Sequence, residues 1–245
     1  MTSNRPSFLA LLGQHFILIL MAIFVIYPVW FVVLASLRPG DRLLTLDLIS
    51  MFVPTVVTFE NYRIMLVEEP FLIWFRNSLF VAGFTTIACL LIATSAAFAF
   101  SRFEFVGRRM GLILFLALQA FPGVLALVPI AQILSAFGLY RNHWGLILAY
   151  VSGVLVFTTW NMKGFFDTLP KEIEEAAMID GCGPIQSFVR VALPLARPAI
   201  AVTALFGFMA GWGEFALASV LIPAPDEKKT LMVALFRLAN NIDTP

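Results

Sequence analysis

Between Glu174 and Pro194 the chain gathers residue types suited to making a contact rather than breaking a bond. Glu174, Glu175 and Asp180 supply negative charge, Ala176 and Ala177 are small enough to admit another backbone, and Gly181, Pro184 and the Leu193-Pro194 pair set turns. Spacings that perform catalysis are missing from the chain as a whole. There is no HExxH, no GxSxG and no GxxxxGK[ST], so neither a metal hydrolase, a serine hydrolase nor a P-loop is spelled out. Cys89 and Cys182 lack CxxC spacing, and His15 and His143 lie far apart, so no disulfide and no metal site is expected. The chemistry available to the 174–194 stretch is recognition.

The elements that must carry this stretch belong in oil. Of 245 residues, 60% are hydrophobic and only 13% charged, far from the balance of a soluble domain, and a net charge of +1 leaves no global field to draw nucleic acid. A membrane span needs about 20 mostly apolar residues. Five runs qualify, approximately Gly13 to Leu37, Asn77 to Phe100, Met110 to Leu134, Trp144 to Trp160 and Ala199 to Ile222. They lack the alternation of barrel strands, so each is expected to be a helix and the fold class to be all-α integral membrane. Pro122 and Pro129 predict a kinked or partly unwound third span.

Around the polar stretch the pattern predicts two short amphipathic helices. Pro170 fits a first helical turn, with Glu172, Glu174 and Glu175 near the positive end of the dipole. Ile173, Ala176 and Ala177 share one face, and Gly181 is placed to end the helix in a left-handed conformation. Gly183 and Pro184 open the second helix, whose face is Ile185, Phe188, Val189 and Ala192. Such a glycine-linked pair suits a cleft on another protein, and fits equally a loop folded against its own spans.

Other polar positions are fewer. Glu214 is the one acid inside an apolar run, and an intramembrane carboxylate usually faces a partner or an aqueous cavity. With Trp212 and Phe215, and with Gln119 and Pro122 of the third span, it is a candidate for lining a pathway; bonding to a neighbouring helix for packing alone is the alternative. The loops at 38–76 and 223–245 fall on one side of the membrane and the 161–198 loop on the other. Both sides carry equal numbers of Lys and Arg, but the short SRFEFVGRRM hairpin concentrates three arginines, which favours a cytoplasmic N-terminus. The 38–76 loop contains an amphipathic piece, TFENYRIMLVEEP, expected along the membrane surface.

Glu175-Ala176-Ala177, three residues, Gly181, nine residues, then Val191-Ala192-Leu193-Pro194 resembles the EAA loop of permease subunits in binding-protein-dependent ABC importers, EAA-x3-G-x9-I-x-LP, with Val191 in place of Ile. FENYR from Phe59, Asn77-Ser78, FAFSRFEFVGRR from Phe98 and FF-x-x-LP from Phe165 are similar to the carbohydrate-uptake branch. ASLRPGDRL, AFPGVLALV and WNMKGFF look closest to the smaller permease of maltose and maltodextrin importers. The resemblance covers the chain as a single permease domain, residues 1–245, and implies the type I ABC importer permease fold in a bacterial cytoplasmic (inner) membrane. Five spans are present and the family's sixth is not. It implies that Glu174, Glu175, Ala176, Ala177, Asp180, Gly181, Pro184, Leu193 and Pro194 couple to a cytoplasmic ATPase dimer. ATP and Mg would be bound by that partner, not by this chain. A second homologous permease, an extracytoplasmic sugar-binding protein contacting the 223–245 loop, and membrane lipid complete the implied partners, with no nucleic acid. The rivals are a secondary transporter or channel, which would want more embedded acids or a repeat, and an intramembrane enzyme.

Overall fold

The computed structural model describes residues 8–39, 52–53 and 56–240, and every regular element among them is helical. The chain divides into two compact units that part between Pro70 and Phe71.

In the first unit, α1 (Phe8–Ser36) is apolar on all sides, with Pro28 inside it. At 1.5 Å per residue it is about 44 Å long, enough to cross the hydrocarbon with turns to spare. Its end needs partners for its last carbonyls. Asn61 supplies them, donating through Nδ2 to the carbonyls of Ser36 at 3.0 Å and Arg38 at 2.9 Å. Asn61 is held in place by α2 (Glu60–Arg63) and the π turn Ile64–Glu68 that continues it. Arg63 locks that turn by pairing with Glu60 and Glu68, each at 2.7 Å.

The second unit is built on two long helices running the same way, α3 (Phe71–Arg102) and α6 (His143–Thr168). Their first turns hold a common segment: Asn77 donates to the carbonyls of Glu227 and Lys229, and His143 bonds the carbonyl of Lys228 at 2.8 Å. Their last turns meet where Ser101 donates to Asp167 at 2.6 Å. Asn142 starts α6 by accepting from the Trp144 amide. α10 (Arg197–Gly213) crosses this pair closely because its contact residues are small. A Cβ on Gly211 would sit 3.2 Å from the Ala82 Cα. Asn161 of α6 donates to Thr203 of α10 at 2.7 Å, satisfying two polar groups inside the bundle.

Two of the five expected spans are not single straight helices. α4 (Arg108–Ala120) and α5 (Leu127–Ala136) are joined through a 3-10 turn, Gly123–Ala126, and the pair bends by 92°. Pro122 causes the break, since it holds Phe121 in extended backbone (φ −78°, ψ 129°). Pro129 does not kink anything: it falls in the first turn of α5, where a missing donor is harmless. The run expected as one span from Ala199 to Ile222 starts at Arg197 and stops at Gly213, then resumes as α11 (Ala216–Leu221) after one extended residue, Glu214, and the flanking Phe215. Among the described residues, three helices are long and apolar enough to cross a membrane alone, or up to five if two bent pairs each count as one span: α4 with the 123–136 segment, and Pro184–Leu195 with α10, the latter bent by 76°. The membrane helices also outrun their apolar runs. α6 continues through Thr168, so residues 161–168, assigned from sequence to the polar loop, extend a spanning helix.

At the starting ends of α3 and α6 the segment after α11 is built, not merely solvated. Trp74 donates to the Asp226 carbonyl at 2.9 Å, Ser78 accepts from the Leu231 amide at 2.7 Å, and Lys229 and Thr230 are buried. Asp226 pairs with Lys229 at 2.6 Å and with Arg237. α12 (Leu231–Asn240) follows, with Leu231, Val233 and Ala234 buried. The sequence reading has residues 223–245 as one hydrophilic loop; 231–240 is an amphipathic helix, and residues 241–245 lie outside the described residues.

Candidate partner-docking site

α7 (Lys171–Ile179) starts one residue later than the sequence suggests, with Pro170 as its extended N-terminal flank and Glu172 and Glu174 in its first turn. It ends on Gly181 at φ +93°, a backbone that costs any L side chain. Two backbone bonds close the end: the Gly181 amide donates to the Met178 carbonyl at 3.1 Å and the Cys182 amide to Ala177 at 3.0 Å. That is a Schellman motif, which satisfies carbonyls the helix would otherwise leave bare. Gly183 then turns the chain into α8 (Pro184–Ser187), its amide capped by Gln186 Oε1 at 3.2 Å. A single π turn, Phe188–Ala192, and α9 (Leu193–Leu195) complete the module. Pro194 cannot donate to the Arg190 carbonyl, and the ladder widens where that bond is lost.

The two helices are seated differently. The second is seated by packing: Phe188 lies 4.6 Å from Phe98 and 6.4 Å from Phe166, in a cluster with Ala97, Met162, Ala192 and Ala196 at the ends of α3 and α6. The first is seated by charge. Glu174 is the one buried residue of α7, and its carboxylate accepts both Nε (2.9 and 3.0 Å) and Nη2 (2.8 Å) of Arg102, the last residue of α3. Arg102 also donates to Ser101 Oγ and to the Leu169 carbonyl, each at 3.1 Å. Asp167, which accepts from Ser101, is paired in turn with Lys163 at 2.6 Å. The side chains of Arg102 and Glu174 are 7% and 6% exposed, and losing one partner of such a pair costs about 3–5 kcal/mol because the other is left charged in a dry site.

This arrangement sorts the sequence candidates. Glu175, Ala176, Asp180, Gly181 and Pro184 face outward, Ala177, Leu193 and Pro194 are half-buried, and Glu174 turns inward. The Ile173, Ala176 and Ala177 face does not pack on the bundle; Ile173 and Ala176 are exposed while the acid takes the inner side. Ile179 (86% exposed) and Ile185 (79%) extend the outward surface at the tip of the module. Sequence reasoning passed over Ile179, placed Ile185 on the apolar face of the second helix, and counted Arg102 only as one of three hairpin arginines. Nothing local marks that arginine, whose partner lies 72 positions away.

The pathway candidates do not gather in the same way. Glu214 sits at the break between α10 and α11, and its carboxylate accepts from the amides of Leu217 (2.7 Å) and Ala218 (3.1 Å) and from the Tyr150 hydroxyl (2.6 Å). It caps α11 and ties it to α6, the packing alternative raised above. Trp212 stacks on Phe208, Phe215 packs on Phe236, and Gln119 and Pro122 are exposed at the α4 break.

The profile of the family described as binding-protein-dependent transport system inner membrane component matches residues 1–244. The chain is 36% identical over 238 residues to a galactooligosaccharides transport system permease protein, GanQ, of Bacillus subtilis strain 168, covering 96% of this chain and 82% of the relative. It is 33% identical over 242 residues to the maltodextrin transport system permease protein MdxG of the same strain, covering 98% and 85%. Among solved structures it resembles a chain of a bacterial ABC transporter involved in the import of the acidic polysaccharide alginate. There the TM-score is 0.81 at 23% identity, over 96% of this chain and 81% of that one.

Proposed function

This chain belongs to the family of binding-protein-dependent transport system inner membrane components, and from that we propose that it forms half of the translocation pathway of an ATP-driven oligosaccharide importer. A second permease subunit would supply the other half, and an extracytoplasmic binding protein would deliver the sugar. ATP and Mg would be handled by a partner ATPase dimer docked on the α7–α8 module, with the module and the N-terminus on the cytoplasmic side. The observation that carries this reading is the outward surface of Glu175, Ala176, Ile179, Asp180 and Ile185 on a rigidly terminated helix pair. Exposed apolar residues ringed by acids, held off the bundle by a buried ion pair, are what a docking knob requires.

Relatives named for galactooligosaccharides and for maltodextrin match nearly the same share of the chain. The substrate class we infer is therefore a neutral oligosaccharide, with maltodextrin one member. A neutral cargo needs no fixed charge along its route, in keeping with a Glu214 carboxylate already occupied by three donors.

The reading is tested by tagging the chain in its native host, purifying it in mild detergent and assaying the eluate for ATP hydrolysis. Proteoliposomes of the same complex are then supplied with binding protein and labelled maltodextrin or galactooligosaccharide. ATP-dependent sugar accumulation is expected. Sugar movement driven by an ion gradient alone, or a tagged chain that carries no ATPase, would overturn it.

A further inference from the structure

A nine-residue helix seldom holds its own position; an apolar stripe usually presses it onto its neighbours. α7 lacks that stripe on its inner side, where its one buried residue is the Glu174 carboxylate. On the side facing α3 lies a cavity of about 170 Å³ bordered by Phe98, Phe103, Lys171, Met178 and Pro184, so close packing does not fix the helix there either. What fixes it is a fork. Arg102 reaches Glu174 through two nitrogens while also holding the Leu169 carbonyl and Ser101.

Resting on the importer reading, we propose that Arg102 is a positioning residue for energy transmission. Its guanidinium sets the attitude of α7 against the ends of α3 and α6, so that displacement of the outward face by the partner reaches both membrane helices as one movement. The physical ground is directional. Parallel N–H···O bonds between a planar guanidinium and a planar carboxylate resist both sliding and rotation, whereas apolar contact resists neither strongly. The fork is braced on both spanning helices. Arg102 ends α3, Leu169 directly follows α6, and Ser101 donates to Asp167 on the last turn of α6. The neighbouring helix, seated through Phe188, can close on its apolar cluster without specifying an angle. The ionic seat therefore gives the module its orientation and the aromatic seat gives it adhesion.

The experiment compares Arg102→Lys, and the apolar pair Arg102→Met with Glu174→Leu, against wild type in the reconstituted complex. It reads membrane accumulation, ATPase retention and sugar moved per ATP hydrolysed. Lysine keeps the charge and loses the fork, so the complex should hold together and hydrolyse ATP while sugar per ATP falls by about tenfold. The apolar pair removes the desolvation burden and should accumulate normally while its ratio stays low. A wild-type ratio in either variant would overturn the proposal, since the seat would then need only filling. So would failure of both to accumulate, which would assign the pair to folding alone. Absence of ATPase from the wild-type complex is a different outcome and defeats the importer reading, not the role of Arg102 within it.

Discussion

Replacing Gly181 by alanine tests one backbone conformation as a determinant of the docking proposed above. Gly181 has φ +93°, and a Cβ built on it meets nothing within 4 Å. Clash therefore contributes nothing, and the whole penalty is that of an L residue in left-handed space, about 1–2 kcal/mol. If the turn relaxes to relieve it, the bonds from the Gly181 and Cys182 amides to Met178 and Ala177 are lost and α8 leaves its register with α7. The ratio of native to relaxed turn then falls by a factor of roughly 5–30, and the apparent affinity for the partner falls with the fraction of chains left in the native turn, by up to that factor. Asparagine tolerates this region better than alanine, so Gly181→Asn should recover much of the loss. The assay is titration of the purified ATPase onto the detergent-solubilised permease pair, with glycine, alanine and asparagine side by side. Wild-type affinity in the alanine variant refutes the reasoning, as does asparagine behaving no better than alanine.

Three further outcomes follow from the bundle. Tyr150→Phe and Glu214→Gln should be non-additive in thermal unfolding, because the 2.6 Å hydroxyl-to-carboxylate bond couples them; a charge-assisted bond of this kind is worth about 1.5–3 kcal/mol, and strictly additive losses would contradict it. Gly211→Leu should destabilise by about 1–3 kcal/mol, since its Cβ lies 3.2 Å from Ala82 backbone, whereas Gly153→Ala, with nothing near its Cβ, should cost no more than an ordinary surface change. At the opposite end, Lys229 above all, aided by Arg237, holds the Asp226 carboxyl below its ordinary value of 3.8 against the opposing effect of burial. A depressed carboxyl stabilises above its unfolded value and loses that contribution as pH falls through the lower folded one. Amide protection factors at residues 227–231, taken relative to the intrinsic exchange rate at each pH, should therefore fall on acidification in that window, and Asp226→Asn should abolish that fall.

Composition made the apolar runs legible, and turn chemistry made α7 legible: a glycine after an amphipathic stretch has few physical uses other than a left-handed stop. What stayed hidden depended on partners distant in sequence. Glu174 turns inward only because Arg102 waits 72 positions upstream, and periodicity counts such an acid as solvated. The break at Glu214 is unmarked by proline, because it is stabilised by Tyr150 and by amides that its own carboxylate caps. Two prolines in one span looked alike, yet only Pro122 interrupts a helix while Pro129 begins one. The 223–245 segment read as a loop because its anchors, Trp74, Asn77 and Ser78, lie about 150 residues earlier. Deleting residues 228–240 would thus unpick the start of α3 as well as remove any binding-protein contact.

The shared direction of α3 and α6 has a mechanical result. Clasped at one end by the Asp226–Leu231 segment and at the other by the Ser101–Asp167 bond, they form a single rail. With 32 residues in α3, the rail is about 48 Å long, and a tilt of about 5° about one end carries the other roughly 4 Å sideways. A shift of that size is a side chain's width. A slight tilt at one end of the rail is thereby magnified into a displacement at the other.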